Sequence, residues 1–181
     1  MGHTVITIAR QYGSGGKTIG KMLAEDLGIH FYNREILRMA SDESGINEQL
    51  FGQVDERIKT NLLYRIAKRI RNEEVLPPDS DDFLSTNNLF NYQAKVIRQL
   101  ADEESCVIIG RCADYVLQDY DNVVSVFIHG PYDFCLEQAM KVNAKAESEM
   151  RKYMEKRDKY RGEYYKYYTG KDWFDARNYH L

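Results

Sequence analysis

Apolar residues fall along the chain in two rhythms, short unbroken runs and longer stretches at helical spacing. Thr4 to Ala9 is a β-branched run that stops at a glycine cluster, and Ile19, Met22, Leu23 and Leu27 then recur at helical spacing over residues 17–27. This predicts strand, glycine loop, helix. Gly28 ends the helix, Ile29 to Tyr32 predicts a brief second strand, and Asn33 is placed to cap a helix running to about Ser41. From Ile46 to Arg71 the apolar positions Leu50, Val54, Ile58, Leu62, Ile66 and Ile70 recur every four residues, the pattern of a long helix with one packed and one solvated face.

Residues 72–88 break that pattern with Pro77-Pro78 and the acidic Asp79, Asp81 and Asp82, and predict a mobile loop inserted within a single domain. Helix resumes over about Leu89 to Glu104. Cys106 to Ile109 and Val123 to Ile128 are continuous apolar runs ending at Gly110-Arg111 and Gly130-Pro131, and helical spacing follows through Phe134 and Met140. Such runs alternating with helices indicate an α/β fold with a parallel sheet covered on both faces. Tyr179-His180-Leu181 reads as the start of a further strand, so the native chain is expected to continue beyond it. No internal repeat is present.

Composition then narrows the function. The 181 residues carry 25 Lys/Arg and 28 Asp/Glu, a net charge of −3, which excludes a polycation built to coat nucleic acid. The charge is uneven: residues 151–181 hold 9 Lys/Arg against 5 Asp/Glu and seven of the 14 tyrosines. Cys106, Cys112 and Cys135 are odd in number and lack Cys-x-x-Cys spacing, so reduced thiols are expected rather than disulfides or a zinc site. With no run of membrane-span length and no leader-like N-terminus, a cytoplasmic protein without membrane or nucleic-acid partners is expected.

The candidate chemistry lies in Arg10-Gln11-Tyr12-Gly13-Ser14-Gly15-Gly16-Lys17-Thr18, between a strand and a helix, where loop amides and a helix N-terminus make an anion site. Gly16, Lys17 and Thr18 match the triphosphate pattern G-x-x-x-x-G-K-[ST], with Gln11 at the first glycine. The dinucleotide pattern G-x-G-x-x-G fits less well, because Thr18 stands at its last glycine.

The segments Ile6-Thr7-Ile8-Ala9-Arg10-Gln11-Tyr12-Gly13-Ser14-Gly15-Gly16, Leu27-Gly28-Ile29-His30-Phe31-Tyr32-Asn33, Val107-Ile108-Ile109-Gly110-Arg111-Cys112-Ala113-Asp114-Tyr115 and Tyr164-Tyr165-Lys166-Tyr167-Tyr168-Thr169-Gly170-Lys171-Asp172-Trp173 together resemble the cytidylate kinase-like family along nearly the whole chain. The resemblance implies a P-loop kinase-like three-layer α/β/α fold: a five-stranded parallel sheet, a helical acceptor-side region at about 42–92 and a helical lid at about 147–172. It implies ATP and Mg2+, with Gly13, Ser14, Gly15 and Gly16 cradling the donor phosphates, Arg10 and Lys17 beside them and Thr18 near the metal. Arg111 matches the arginine that grips the acceptor phosphate, with Asn33 and Asp114 on the acceptor side, and Arg157 and Arg161 match lid arginines. Cys112 stands where true cytidylate kinases have aspartate, and Asn33 replaces the aspartate expected after the second strand. Aligned on Gly13-Ser14-Gly15, the loop puts Lys17 one step late; aligned on Gly16-Lys17-Thr18, it puts the lysine in place.

Phosphoryl transfer needs several cations converging from different segments, and Arg10, Lys17, Arg111, Arg157 and Arg161 are that set. Considered alone, Arg157 and Arg161 with Glu155 and Asp158 read as a solvated helix face. The expected activity is transfer from ATP to CMP or dCMP, giving CDP or dCDP. A kinase for another small acceptor and a nucleotide-binding module without catalysis are the alternatives, with the oligomeric state open. RNA binding by the tyrosine-rich end ranks below these, because Tyr164-Tyr165 and Tyr167-Tyr168 wrap around a helix.

Overall fold

The computed structural model describes residues 3–54 and 74–181. Four parallel strands, β1 (Val5–Arg10), β2 (His30–Tyr32), β3 (Cys106–Ile109) and β4 (Val123–Ile128), form one sheet in the order β2-β3-β1-β4. Val5 faces Cys106 on one side and Val123 on the other, so β1 is paired on both edges and is apolar on both faces apart from the buried Thr7 and the terminal Arg10. Alternation then divides the side chains. Val5, Cys106 and Ile108 join one buried cluster, while Ile8, Val107 and Ile109 join another with Ala24.

Helix α1 (Gly16–Leu27) covers the second cluster, and Gly20 lets it approach: a Cβ there would lie 2.8 Å from Ile109 Cδ1. The other face carries α2 (Glu35–Ser44), α3 (Glu48–Val54), α4 (Thr86–Glu103) and the short α5 (Ala113–Val116), whose buried Ile36, Phe51, Ile97 and Ala113 share one core. Helix α6 (Tyr132–Lys141) pairs with the 23-residue α7 (Glu147–Thr169) through Cys135, Leu136, Ala139, Met150 and Met154.

Several expectations change. The described sheet has four strands rather than five. Beside β4, Leu181 N–H donates to Ser125 O at 3.1 Å and Phe127 N–H donates to Leu181 O at 2.8 Å, a single parallel bridge at the place the expected strand would begin. Asn33 does not cap α2; Arg34 holds the N-cap position, and Asn33 N–H instead donates to Glu35 Oε2 at 2.9 Å. Helix α4 starts three residues before Leu89 because Ser85 Oγ accepts the Asn88 N–H. Of the helix expected over 46–71, Glu48–Val54 is described, and the remainder lies outside the described residues.

Within the expected loop, Asn88 Oδ1 accepts Leu76 N–H at 2.7 Å and its Nδ2 donates to Phe83 O at 2.8 Å, so the side chain of α4 fastens residues 76–83. The tyrosines of α7 knit the same end of the molecule. Tyr168 stacks on Phe90 at 3.9 Å, Tyr168 Oη donates to Thr86 O, and Tyr167 Oη donates to Asn87 Oδ1. Trp173, 4% exposed, packs edge-on against Phe127 and anchors the segment after α7. Among the described residues no helix is long and apolar enough to cross a membrane, and all three cysteines are free and buried.

Candidate active site

In a parallel sheet the loops leaving the carboxyl ends of the strands form the crevice where ligands bind. Here Arg10 ends β1, Asn33 follows β2 and Gly110-Arg111 follow β3, and all four residues line a cavity of about 1190 Å3. Residues from α2, α3 and α7 complete it, among them Arg34, Gln49, Gln53, Arg157, Tyr160 and Arg161.

The glycine loop is shaped by two left-handed residues. Gly13 has φ +77° and comes so near α6 that a Cβ would lie 2.1 Å from Cys135 O; Gly15 has φ +81° and is the N-cap of α1. No side chain caps that helix, so its first-turn amides stay available to a ligand, next to Lys17, which lines the cavity. Among the described residues Lys17 has no hydrogen bond or ion pair. Thr18 is exposed in the same turn. Ser14 is 7% exposed and its hydroxyl donates to Gln11 O at 2.9 Å, which fixes the shape of the loop.

After β3 the backbone turns through three successive left-handed residues, Gly110 at φ 70°, Arg111 at 60° and Cys112 at 53°. The two non-glycine residues carry strain of about 1–2 kcal/mol each, a cost that clusters at functional sites. Gly110 has no Cβ because one would sit 2.4 Å from Arg10 Nη1, so the Arg10 guanidinium lies directly on that turn. Arg111 Nε donates to Asn33 O and Nη1 to Gln93 Oε1, both at 3.0 Å. Asn33 therefore serves Arg111 through its main chain. Asp114 accepts the Tyr165 hydroxyl at 2.7 Å, and burial pushes its carboxyl above the usual range, with that hydrogen bond and Lys171 opposing.

Of the two α7 arginines expected in a lid, Arg157 lines the cavity, with a buried Nε that has no hydrogen-bond partner among the described residues. Arg161 is engaged: Nη1 donates to Asp158 Oδ1 at 3.1 Å and to Arg10 O at 3.2 Å, with the guanidinium over the Tyr12 ring. Burial pushes the Asp158 carboxyl up and the Arg161 guanidinium down, and each charge offsets the other's shift. The pair is an internal clamp rather than the solvated face that its spacing suggested.

The cavity thus gathers Arg10, Lys17, Arg34, Arg111, Arg157 and Arg161 against the carboxylates of Glu48 and Asp114. Sequence reading named five of those cations and missed Arg34, Asp158 and Gln93. Gln93 had a signal: it falls in the apolar stripe Leu89, Val96, Ile97, Leu100 of α4, where a polar side chain needs a reason.

A central parallel strand feeding a glycine loop and a helix, under a cluster of cations, gives an α/β fold that resembles the P-loop kinases. The chain belongs to the cytidylate kinase-like family, whose profile matches residues 5–181. The chain is similar, at 28% identity and a TM-score of 0.70, to an uncharacterized protein from Eubacterium ventriosum, over 98% of this chain and 85% of that one. A gluconokinase from Sinorhizobium meliloti aligns at 17% identity and a TM-score of 0.44, over 84% of this chain and 74% of that one. The shikimate kinase of Aquifex aeolicus aligns at 18% identity and a TM-score of 0.40, over 88% of this chain and 83% of that one. No curated protein matches the chain.

Proposed function

We propose that the protein transfers a phosphoryl group from ATP to a nucleoside monophosphate, CMP or dCMP, with release of ADP. The observation that carries this reading is the convergence of Arg10, Lys17, Arg111, Arg157 and Arg161 on one cavity at the carboxyl ends of β1 and β3. Transfer between two phosphates asks mainly for positioning and charge neutralisation, so convergent cations matter more than a strong base.

In this reading the amides of Gly16 and the following first-turn residues receive the donor phosphates and Lys17 neutralises the group in flight. The start of α1 at Gly16, with Lys17 in its first turn, supports the register that puts the lysine in place. The orphaned Nε of Arg157 has the chemistry to take a phosphate oxygen, because a buried N–H without a partner costs about 1–3 kcal/mol. Arg111, fixed by Asn33 O and Gln93, grips the acceptor's phosphate bidentately. Thr18 would hold Mg2+ through its hydroxyl, and that ion supplies charge stabilisation on the phosphates when bound.

Asn33 and Cys112, at positions where cytidylate kinases carry aspartates, favour a second reading: a P-loop kinase for another small phosphate-bearing or hydroxyl acceptor. An acceptor panel with ATP and Mg2+ separates them. ADP formation that depends on CMP or dCMP and not on AMP supports the first reading; ADP formation only with a different acceptor supports the second, and no transfer with ATP still bound points to a binding module without catalysis.

A further inference from the structure

Gln93 lies in the middle of α4, 1% exposed, within an apolar stripe. Its Oε1 accepts Arg111 Nη1 at 3.0 Å, and its Nε2 is buried without a hydrogen-bond partner. An amide half satisfied in a packed core is a standing cost, and a leucine or methionine would remove it. Gln93 does not itself line the cavity; the Arg111 that it holds does, and the Arg111 backbone is held in the left-handed region by the Gly110-Arg111-Cys112 turn. That turn and the hydrogen bonds of the guanidinium to Asn33 O and Gln93 Oε1 help to place Arg111 before any ligand arrives.

We propose that Gln93 is the positioning residue of the acceptor's anion site: its Oε1 fixes the Arg111 guanidinium without neutralising it. A neutral amide suits this task. A carboxylate at this position would hold Arg111 equally well while repelling the incoming phosphate, and an apolar side chain would release the guanidinium. The ligand class is a phosphate monoester, whose oxygens can accept two N–H donors of the guanidinium together. The inference rests on the reading of this cavity as a phosphoryl-transfer site.

The test follows the Gln93 side-chain amide by 1H–15N NMR, its signals assigned by their loss in Gln93→Glu, while CMP and, separately, inorganic phosphate are titrated. The signals should move saturably with each. Gln93→Glu should unfold within a few degrees of wild type, bind a non-hydrolysable ATP analogue within about twofold of wild type, and bind CMP at least tenfold more weakly. Gln93→Met tests the apolar case, with a smaller loss for CMP. Signals that stay still at saturating ligand, or folded variants that bind CMP as wild type does, overturn the proposal. If CMP is never phosphorylated but phosphate still moves the Gln93 amide, the acceptor assignment falls and the anion site stands. If CMP is turned over while the amide stays still, the acceptor assignment stands and the role of Gln93 falls.

Discussion

The carboxylate of Asp158 accepts the main-chain N–H of Tyr12 through both oxygens, at 2.9 and 3.2 Å. The same carboxylate pairs with Arg161, which reaches back to Arg10 O, so α7 is fastened to the glycine loop on either side of Gln11. Tyr153 adds an edge contact to the Tyr12 ring at 5.4 Å. A helix that would close over the donor is thereby tied to the loop that would hold it.

Asp158→Asn keeps an oxygen for the Tyr12 N–H but removes the charge that balances Arg161. The pair is largely buried, with side chains 15% and 20% exposed, so the loss falls between that of a surface pair and a fully buried one, about 1–3 kcal/mol. Urea unfolding measures it. In a double-mutant cycle with Arg161→Gln the two losses should be clearly less than additive, since each single change already breaks the one pair and strands its other member.

The loop geometry predicts a contrast between two glycines of nearly equal φ. At Gly28, φ +64°, an added Cβ meets nothing within 4 Å, so Gly28→Ala should cost only the left-handed penalty of about 1 kcal/mol. At Gly13 the Cβ would also strike Cys135 O, and Gly13→Ala should cost more than about 2 kcal/mol and displace the loop. Equal stability of the two variants by urea titration would mean that the loop does not press on α6.

These contacts mark where the sequence was legible. The apolar runs became β1, β3 and β4, because a parallel sheet covered on both faces favours apolar side chains along its strands, with Thr7 and Ser125 as small buried exceptions. The convergence of Arg10, Lys17 and Arg111 followed from their places after strands. Asp158 was not legible, since its partner Tyr12 is 146 residues away and its local spacing looks like that of an exposed pair. Asn33 failed as a cap because Arg34 is already helical and the Asn33 carbonyl is committed to Arg111.

Asp114 makes a pH prediction. Burial raises its carboxyl above the usual range against the opposing pull of the Tyr165 hydroxyl and Lys171, so the folded protein holds that proton to higher pH than the unfolded chain. Its contribution to stability therefore falls as pH rises from the ordinary carboxylate value through the raised one. Asp114→Asn keeps an acceptor for Tyr165 and removes this dependence. Its unfolding temperature relative to wild type should rise between about pH 4 and pH 7. A difference that shrinks over that range would show that the folded state favours the ionised carboxylate.

Lys17 and Arg157 should separate by their effects. Lys17→Ala should lower turnover by on the order of a hundredfold or more, because it removes a charge on the transferring group. Arg157→Lys should also lose activity, since an ammonium cannot reproduce the geometry of the guanidinium N–H donors. Steady-state kinetics with thermal unfolding on the same samples distinguishes these losses from misfolding.

The most direct measurement is 31P NMR of the folded protein with ATP, Mg2+ and CMP. The account predicts that CDP and ADP accumulate in equal amounts and that Lys17→Ala suppresses both. ATP left intact, or ADP accompanied only by inorganic phosphate, would contradict it.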